Sequence, residues 1–158
     1  MQVEYLNPFV SAVKNTFSTM LGCQTHRGPL ALSHSRQPKH RISGVIGLSG
    51  KAVGTVVLSF SESVALKAAS AMLMTELNEI NADVLDAVGE LTNMVAGSAK
   101  AQLEEYQLQV SLPNVITGSD HEVHFPSEVV PICIPFDTDW GPVTLDVGLA
   151  VVPSMVGV

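Results

Sequence analysis

Apolar residues recur along residues 81–104 at about 100° per residue, so that Val84, Val88, Leu91 and Val95 fall on one stripe. This predicts an amphipathic helix with one buried face. The opposite side carries Asp86, Gly89, Glu90, Asn93, Gly97 and Lys100. Charged and amide side chains therefore share a strip with two residues that have no side chain. A glycine inside a helix costs about 0.5–1 kcal/mol relative to alanine. Two of them on an exposed face fit simple tolerance, close approach of a neighbouring element, or a face kept flat so that another molecule can lie against it.

The same periodicity predicts a helix over residues 8–21, where Phe9, Val10, Val13, Phe17, Met20 and Leu21 repeat at helical spacing. Asn7 would serve as its N-cap, Pro8 as its first residue and Gly22 as its C-cap. Leu30-Ala31-Leu32 suggests a short strand, followed by a solvated polar loop over residues 35–41. Residues 42–48 and 52–60, rich in Val, Ile and Leu and separated by Gly50-Lys51, predict a β-hairpin. Ser61 or Ser63 would then cap a helix reaching about Thr75. Past residue 104, strands are expected over residues 107–112, 115–116, 122–125, 129–135 and 143–151, with a second hairpin turning between Asp137 and Gly141. Pro131 and Pro135 argue for an edge or a bulge in the fourth of these, because proline removes a ladder donor.

The two halves share one order of helix, strand region and hairpin. Matching Thr16, Phe17, Thr19, Met20 and Leu21 to Glu90, Leu91, Asn93, Met94 and Val95 keeps the apolar stripes together, which suggests a degenerate internal duplication with the middle helix inserted. The N-terminal copy then has Thr16 and Thr19 where the other carries Glu90 and Asn93, so any chemistry resides in one copy. The fold class expected is α+β, with helices packed on a mainly antiparallel sheet.

At 158 residues the chain suits one domain over its whole length. Apolar residues make up 46% and charged ones 15%, which argues against disorder and suggests that much of the surface is covered, for instance by a second copy. Eight basic against fifteen acidic residues give a net charge of −7, which repels phosphate backbones and anionic membranes and makes nucleic acid an improbable partner. The first residues show no secretory signal, and no apolar run approaches the roughly 18 residues of a membrane span. The chain therefore reads as cytoplasmic, with Cys23 and Cys133 as reduced thiols.

Glu90 and Asn93 are three apart and project together from one helix face. An E-x-x-N pair by itself is a common surface pattern. Its setting matters more: an amide offers both donor and acceptor, so it can hold a water while bonding an anion, and the carboxylate beside it can pair with a partner's lysine. Asp83 and Asp86 also favour the helix dipole. His121 and His124 form an H-x-x-H without a third ligand nearby, so no metal is expected. The chain contains no G-x-S-x-G, G-x-G-x-x-G or Walker-type motif to activate a serine or cradle a nucleotide.

Residues 86–100, DAVGELTNMVAGSAK, are similar to the signature helix of the CheC/CheX/FliY family of chemotaxis phosphatases. The single E-x-x-N makes a CheX-type member the nearer match, and the opening YLNPF, TMLG at residues 19–22 and the segment 44–60 also resemble it. Many members carry asparagine where this chain has Ser98, a position nearer the buried stripe than the polar one. The resemblance implies hydrolysis of the aspartyl phosphate on a CheY-type response regulator. Asn93 would orient water for in-line attack and Glu90 would engage the receiver's lysine, while Asp86, Gly89, Gly97 and Lys100 complete the partner-binding strip. It also implies no cofactor of the chain's own, Mg²⁺ on the partner receiver, and a homodimer. The alternative is a non-catalytic receiver-binding or dimerisation module.

Overall fold

In the computed structural model, which describes residues 5–32, 40–118, 121–126 and 129–153, the first apolar stripe forms helix α1, Leu6–Leu21. It begins two residues before Pro8 and without a side-chain cap, so Asn7 is a first-turn residue and not the N-cap. Pro8 still lies within the first turn, where its missing N–H has no helical acceptor to lose. Gly22, at φ 61°, ends the helix: its N–H donates to Ser18 O at 3.1 Å and that of Cys23 to Phe17 O at 3.0 Å, the left-handed closure that glycine makes without strain. Helix α2, Glu62–Leu73, starts at Ser61, whose Oγ accepts from the Val64 N–H at 3.2 Å. Helix α3, Ala82–Ala101, starts at Asn81, whose Oδ1 accepts from the Val84 N–H at 3.0 Å.

Eight strands form one antiparallel sheet: β1 Thr25–Arg27, β2 Ala31–Leu32, β3 Ile42–Ser49, β4 Ala52–Phe60, β5 Gln109–Val110, β6 Asn114–Thr117, β7 Ile132–Thr138 and β8 Gly141–Val151. The order is β1-β7-β8-β4-β3-β5, with β2 also on β7 and β6 also on β3. Both expected hairpins are present, β3 with β4 across Gly50-Lys51 and β7 with β8 across Asp139-Trp140. Pro135 is not on the outermost strand. It faces the interval between β1 and β2, where its carbonyl accepts from the Gly28 N–H at 2.8 Å, so the missing donor falls where the outer pairing is already broken.

The strand order has a two-fold internal correspondence, β1 with β5, β2 with β6, β3 with β7 and β4 with β8, centred on the β4–β8 pair. This supports a duplication of α1–β4 and α3–β8 with α2 inserted. Its register differs by one residue from the one expected. Adding 75 to the buried α1 residues Phe9, Ala12, Val13, Thr16, Phe17 and Leu21 gives Val84, Ala87, Val88, Leu91, Thr92 and Ala96, all buried on α3. Hence Asn15 and Ser18 correspond to Glu90 and Asn93, not Thr16 and Thr19. Thr92 is the reason: a polar residue at a buried position hides the true phase from a pattern of apolar residues.

The helices cover one face of the sheet. Ile42 and Ile46 on β3, Val56, Leu58 and Phe60 on β4, Ile134 and Phe136 on β7, and Val143, Leu145 and Val147 on β8 point into that layer. Phe17 of α1 stacks on Phe60 with ring centroids 6.2 Å apart. The other face carries buried Ser43, Ser59, Thr144 and Asp146. Above it lie residues 121–126 and 129–130, where a strand over 122–125 was expected and none is formed. Val123 and Val129 are buried there, and a side chain on Gly148 would collide with Val129 and reach Phe125 at 3.0 Å. The polar loop expected over residues 35–41 lies outside the described residues except for His40 and Arg41. No helix among the described residues is long and apolar enough to cross a membrane.

Candidate active site on the third helix

Helix α3 is seated on β3 through a contact that has no spare volume. Thr92 is fully buried, its Oγ1 donates to the Val88 carbonyl at 2.8 Å, and the side chain rests on the backbone of Gly44. A Cβ on Gly44 would run into Thr92 Oγ1 and sit 2.8 Å from its Cβ. With Thr92 turned to the sheet, Asn93 and Glu90 are turned to solvent.

Asp86, Glu90, Asn93, Gly97 and Lys100 are all exposed, which at steps of four and three residues makes a continuous outward stripe. Among the described residues neither Glu90 nor Asn93 has a hydrogen-bond or ion-pair partner. Their polar atoms are available to a visitor, one helical turn apart. Nothing lies within 4 Å of where a Cβ on Gly97 would be, so the surface between Asn93 and Lys100 is low and open.

Gly89 departs from the expected flat strip, because it is buried. Val115 Cγ2 would meet a Cβ there at 3.3 Å and Pro113 Cγ at 3.6 Å. Of the two glycines, one lets β6 and its approach segment close on the helix flank, and the other opens the outer face. The sequence pattern could not separate these roles, since the element that covers Gly89 is 24 residues further along the chain.

On α1 the corresponding positions carry no such pair. Asn15 and Ser18 are exposed, but an amide and a hydroxyl supply no carboxylate for a cationic partner, and Thr19 Oγ1 is spent on the Asn15 carbonyl at 2.6 Å. The H-x-x-H residues do not converge either. His121 Nδ1 donates to the Gly118 carbonyl at 2.7 Å and its Nε2 lies 3.1 Å from Ser43 Oγ, whereas exposed His124 sits 3.5 Å from Glu122. Among the described residues, no three His, Cys, Asp or Glu side chains are placed to hold a metal ion. Gly44, one of the hairpin glycines that lower strand propensity but allow close packing, receives Thr92, whereas Leu112, expected at the end of a strand over residues 107–112, lies outside any strand and is 87% exposed beside Pro113.

Residues 42–137, which include β3 and the whole of α3, match the family model described as chemotaxis phosphatase CheX. The chain is 35% identical to the CheY-P phosphatase CheX of Thermotoga maritima over 127 residues, 78% of this chain and 81% of that one. The crystal structure of the chemotaxis protein CheX from Desulfovibrio desulfuricans superposes with a TM-score of 0.84 at 35% identity, covering 92% of this chain and 99% of that one. The fold is also that of the Borrelia burgdorferi protein in a CheX–CheY–BeF3–Mg²⁺ complex, with a TM-score of 0.79 at 19% identity, covering 94% and 99% of the two chains.

Proposed function

The chain belongs to the chemotaxis phosphatase CheX family, and from that premise we propose how it removes the aspartyl phosphate from a CheY-type response regulator. The observation that carries the reading is the pair Glu90 and Asn93, exposed on one face of α3 and with side chains unpaired among the described residues. Docked on the receiver, the Asn93 carbonyl accepts a hydrogen bond from a water while its NH₂ donates to a phosphoryl oxygen. The water oxygen is thereby held in line with the scissile bond.

The new P–O bond forms as the bond to the aspartyl oxygen breaks. The aspartate is regenerated, and the water's oxygen and both its protons leave with the phosphoryl group as dihydrogen phosphate, which exchanges a proton with solvent. Because the transition state is loose, fixing the water in line supplies much of the acceleration that a protein can give. The Glu90 carboxylate pairs with the lysine beside the receiver's phosphoryl group and fixes the approach of the two proteins. Asp86, Gly97 and Lys100 extend the docking stripe, with Gly89 packing beneath it. Mg²⁺ belongs to the receiver, where it neutralises charge on the phosphoryl oxygens. The working form is a cytoplasmic homodimer, a state that light scattering would check.

The test is phosphate release from a phosphorylated receiver. Asn93→Ala should lower kcat about a hundredfold, the scale of a mispositioned reactant. Equal rates for the variant and the parent would remove Asn93 from the mechanism.

A further inference from the structure

We propose that Leu112 is an apolar anchor for the phosphorylated receiver and sets its KM. This rests on the reading of Glu90 and Asn93 given above. The side chain is 87% exposed, so nearly all of its apolar surface is there to be removed from water by a partner. It is also held in place. On one side Ser111 is locked to β3, its N–H donating to the Gly47 carbonyl at 2.9 Å and its Oγ accepting from the Gly47 N–H at 2.8 Å. The same Oγ donates to the carbonyl of Leu112 at 3.0 Å. On the other side Pro113 packs against Gly89, the residue before Glu90. A pinned segment thus holds an exposed leucine next to the proline that borders Gly89 on α3.

The occupant follows from that position. A receiver whose phosphoryl group reaches Asn93 must also lie over the flank of α3, where Pro113 and Leu112 border the stripe. Exposed polar contacts in water add little affinity, whereas an exposed apolar side chain that the contact removes from water adds more. Since the backbone beside Leu112 is already held by Ser111, binding has only the side chain left to order there. Gly89 lets this segment lie close to α3: a Cβ there would be in contact with Pro113 Cγ at 3.6 Å and tight against Val115 Cγ2 at 3.3 Å.

The experiment uses a CheY-type receiver charged with a small-molecule phosphodonor, and measures both binding and phosphate release for the parent, Leu112→Ser and Leu112→Met. Serine should raise Kd and KM about tenfold while kcat stays within about twofold, and methionine should restore both. Thermal unfolding of the serine variant should match the parent, since the side chain is 87% exposed. Unchanged Kd and KM overturn the anchor, as does a fall in kcat alone, or a change in oligomeric state that accounts for the whole effect. A parent that binds the receiver without releasing phosphate refutes the catalytic reading and leaves the Kd comparison to decide on Leu112. A parent that binds no phosphorylated receiver refutes both.

Discussion

Gly44 of β3 and Thr92 of α3 meet with no room for one further carbon between them. Their contact fixes the height and rotation of the helix whose next residue is Asn93. Inserting a methyl into a packed contact of this kind costs about 1–3 kcal/mol, because neighbours must leave their rotamers or the backbone must shift. Gly44→Ala is therefore expected to lower unfolding free energy by about that amount and to reduce phosphatase kcat in the fraction that stays folded. Thr92→Ala should not rescue it, since the clash at 2.8 Å is with Thr92 Cβ, which alanine retains. Denaturant titrations of the two single variants and the double would decide, and full recovery in the double would show that the hydroxyl alone sets the seat.

Among the described residues the Glu90 side chain has no partner, so its contribution is read in binding. Glu90→Gln keeps the size of the side chain and removes its charge. KM for the phosphorylated receiver should rise severalfold at low salt, and the gap between variant and parent should close near 1 M salt, where the screening length falls to about 3 Å. A gap independent of salt would point to shape and not charge. Folding stability should change by less than about 0.5 kcal/mol, as for surface positions generally.

Asn81 is the cap that starts α3. Asn81→Ala leaves the Val84 N–H without its side-chain acceptor and should cost about 1 kcal/mol, whereas Asn81→Ser should keep most of the stability. Chemical denaturation of both variants checks this. Equal losses would mean that the cap bond is not what serine and asparagine share here.

Tyr5, buried between the start of α1 and β8, has its phenol pKa pushed up from 10.0 to about 12, first because burial disfavours the phenolate and also because of nearby Tyr106, while a backbone hydrogen bond from Leu149 acts in the other direction. The unfolded chain then ionises at lower pH than the folded one. The contribution of Tyr5 is fully present below about pH 10 and is lost as the pH rises toward 12. A pH series of unfolding midpoints should fall over that window, and Tyr5→Phe should flatten the fall. A parallel decline in both proteins would assign the alkaline loss to other groups.

The three helices and both hairpins were legible because each has a dominant apolar period and a turn residue where the chain reverses. Glu90 and Asn93 were legible for the same reason, as the polar complement of that period. What escaped depends on contacts distant in sequence. Strand β1, Thr25–Arg27, has no alternation of its own and exists because β7 offers it a partner. Residues 122–125 alternate like a strand, yet Val123 is buried over the polar face of the sheet without joining a ladder. Gly89 and Gly97 look alike on a helical projection, and only Pro113 and Val115 tell them apart. The one-residue slip in the duplication arose from Thr92, whose burial is possible because its hydroxyl finds the Val88 carbonyl within its own helix.

The correspondence of α1–β4 with α3–β8 also bears on why an inactive copy persists. The helix that carries Glu90 and Asn93 belongs to the second copy, but the strand on which it rests, with Gly44, belongs to the first. The outward face of α1 can do without a carboxylate and an amide of its own. The polypeptide behind it is indispensable all the same, since without that foundation Glu90 and Asn93 would have no fixed place from which to work.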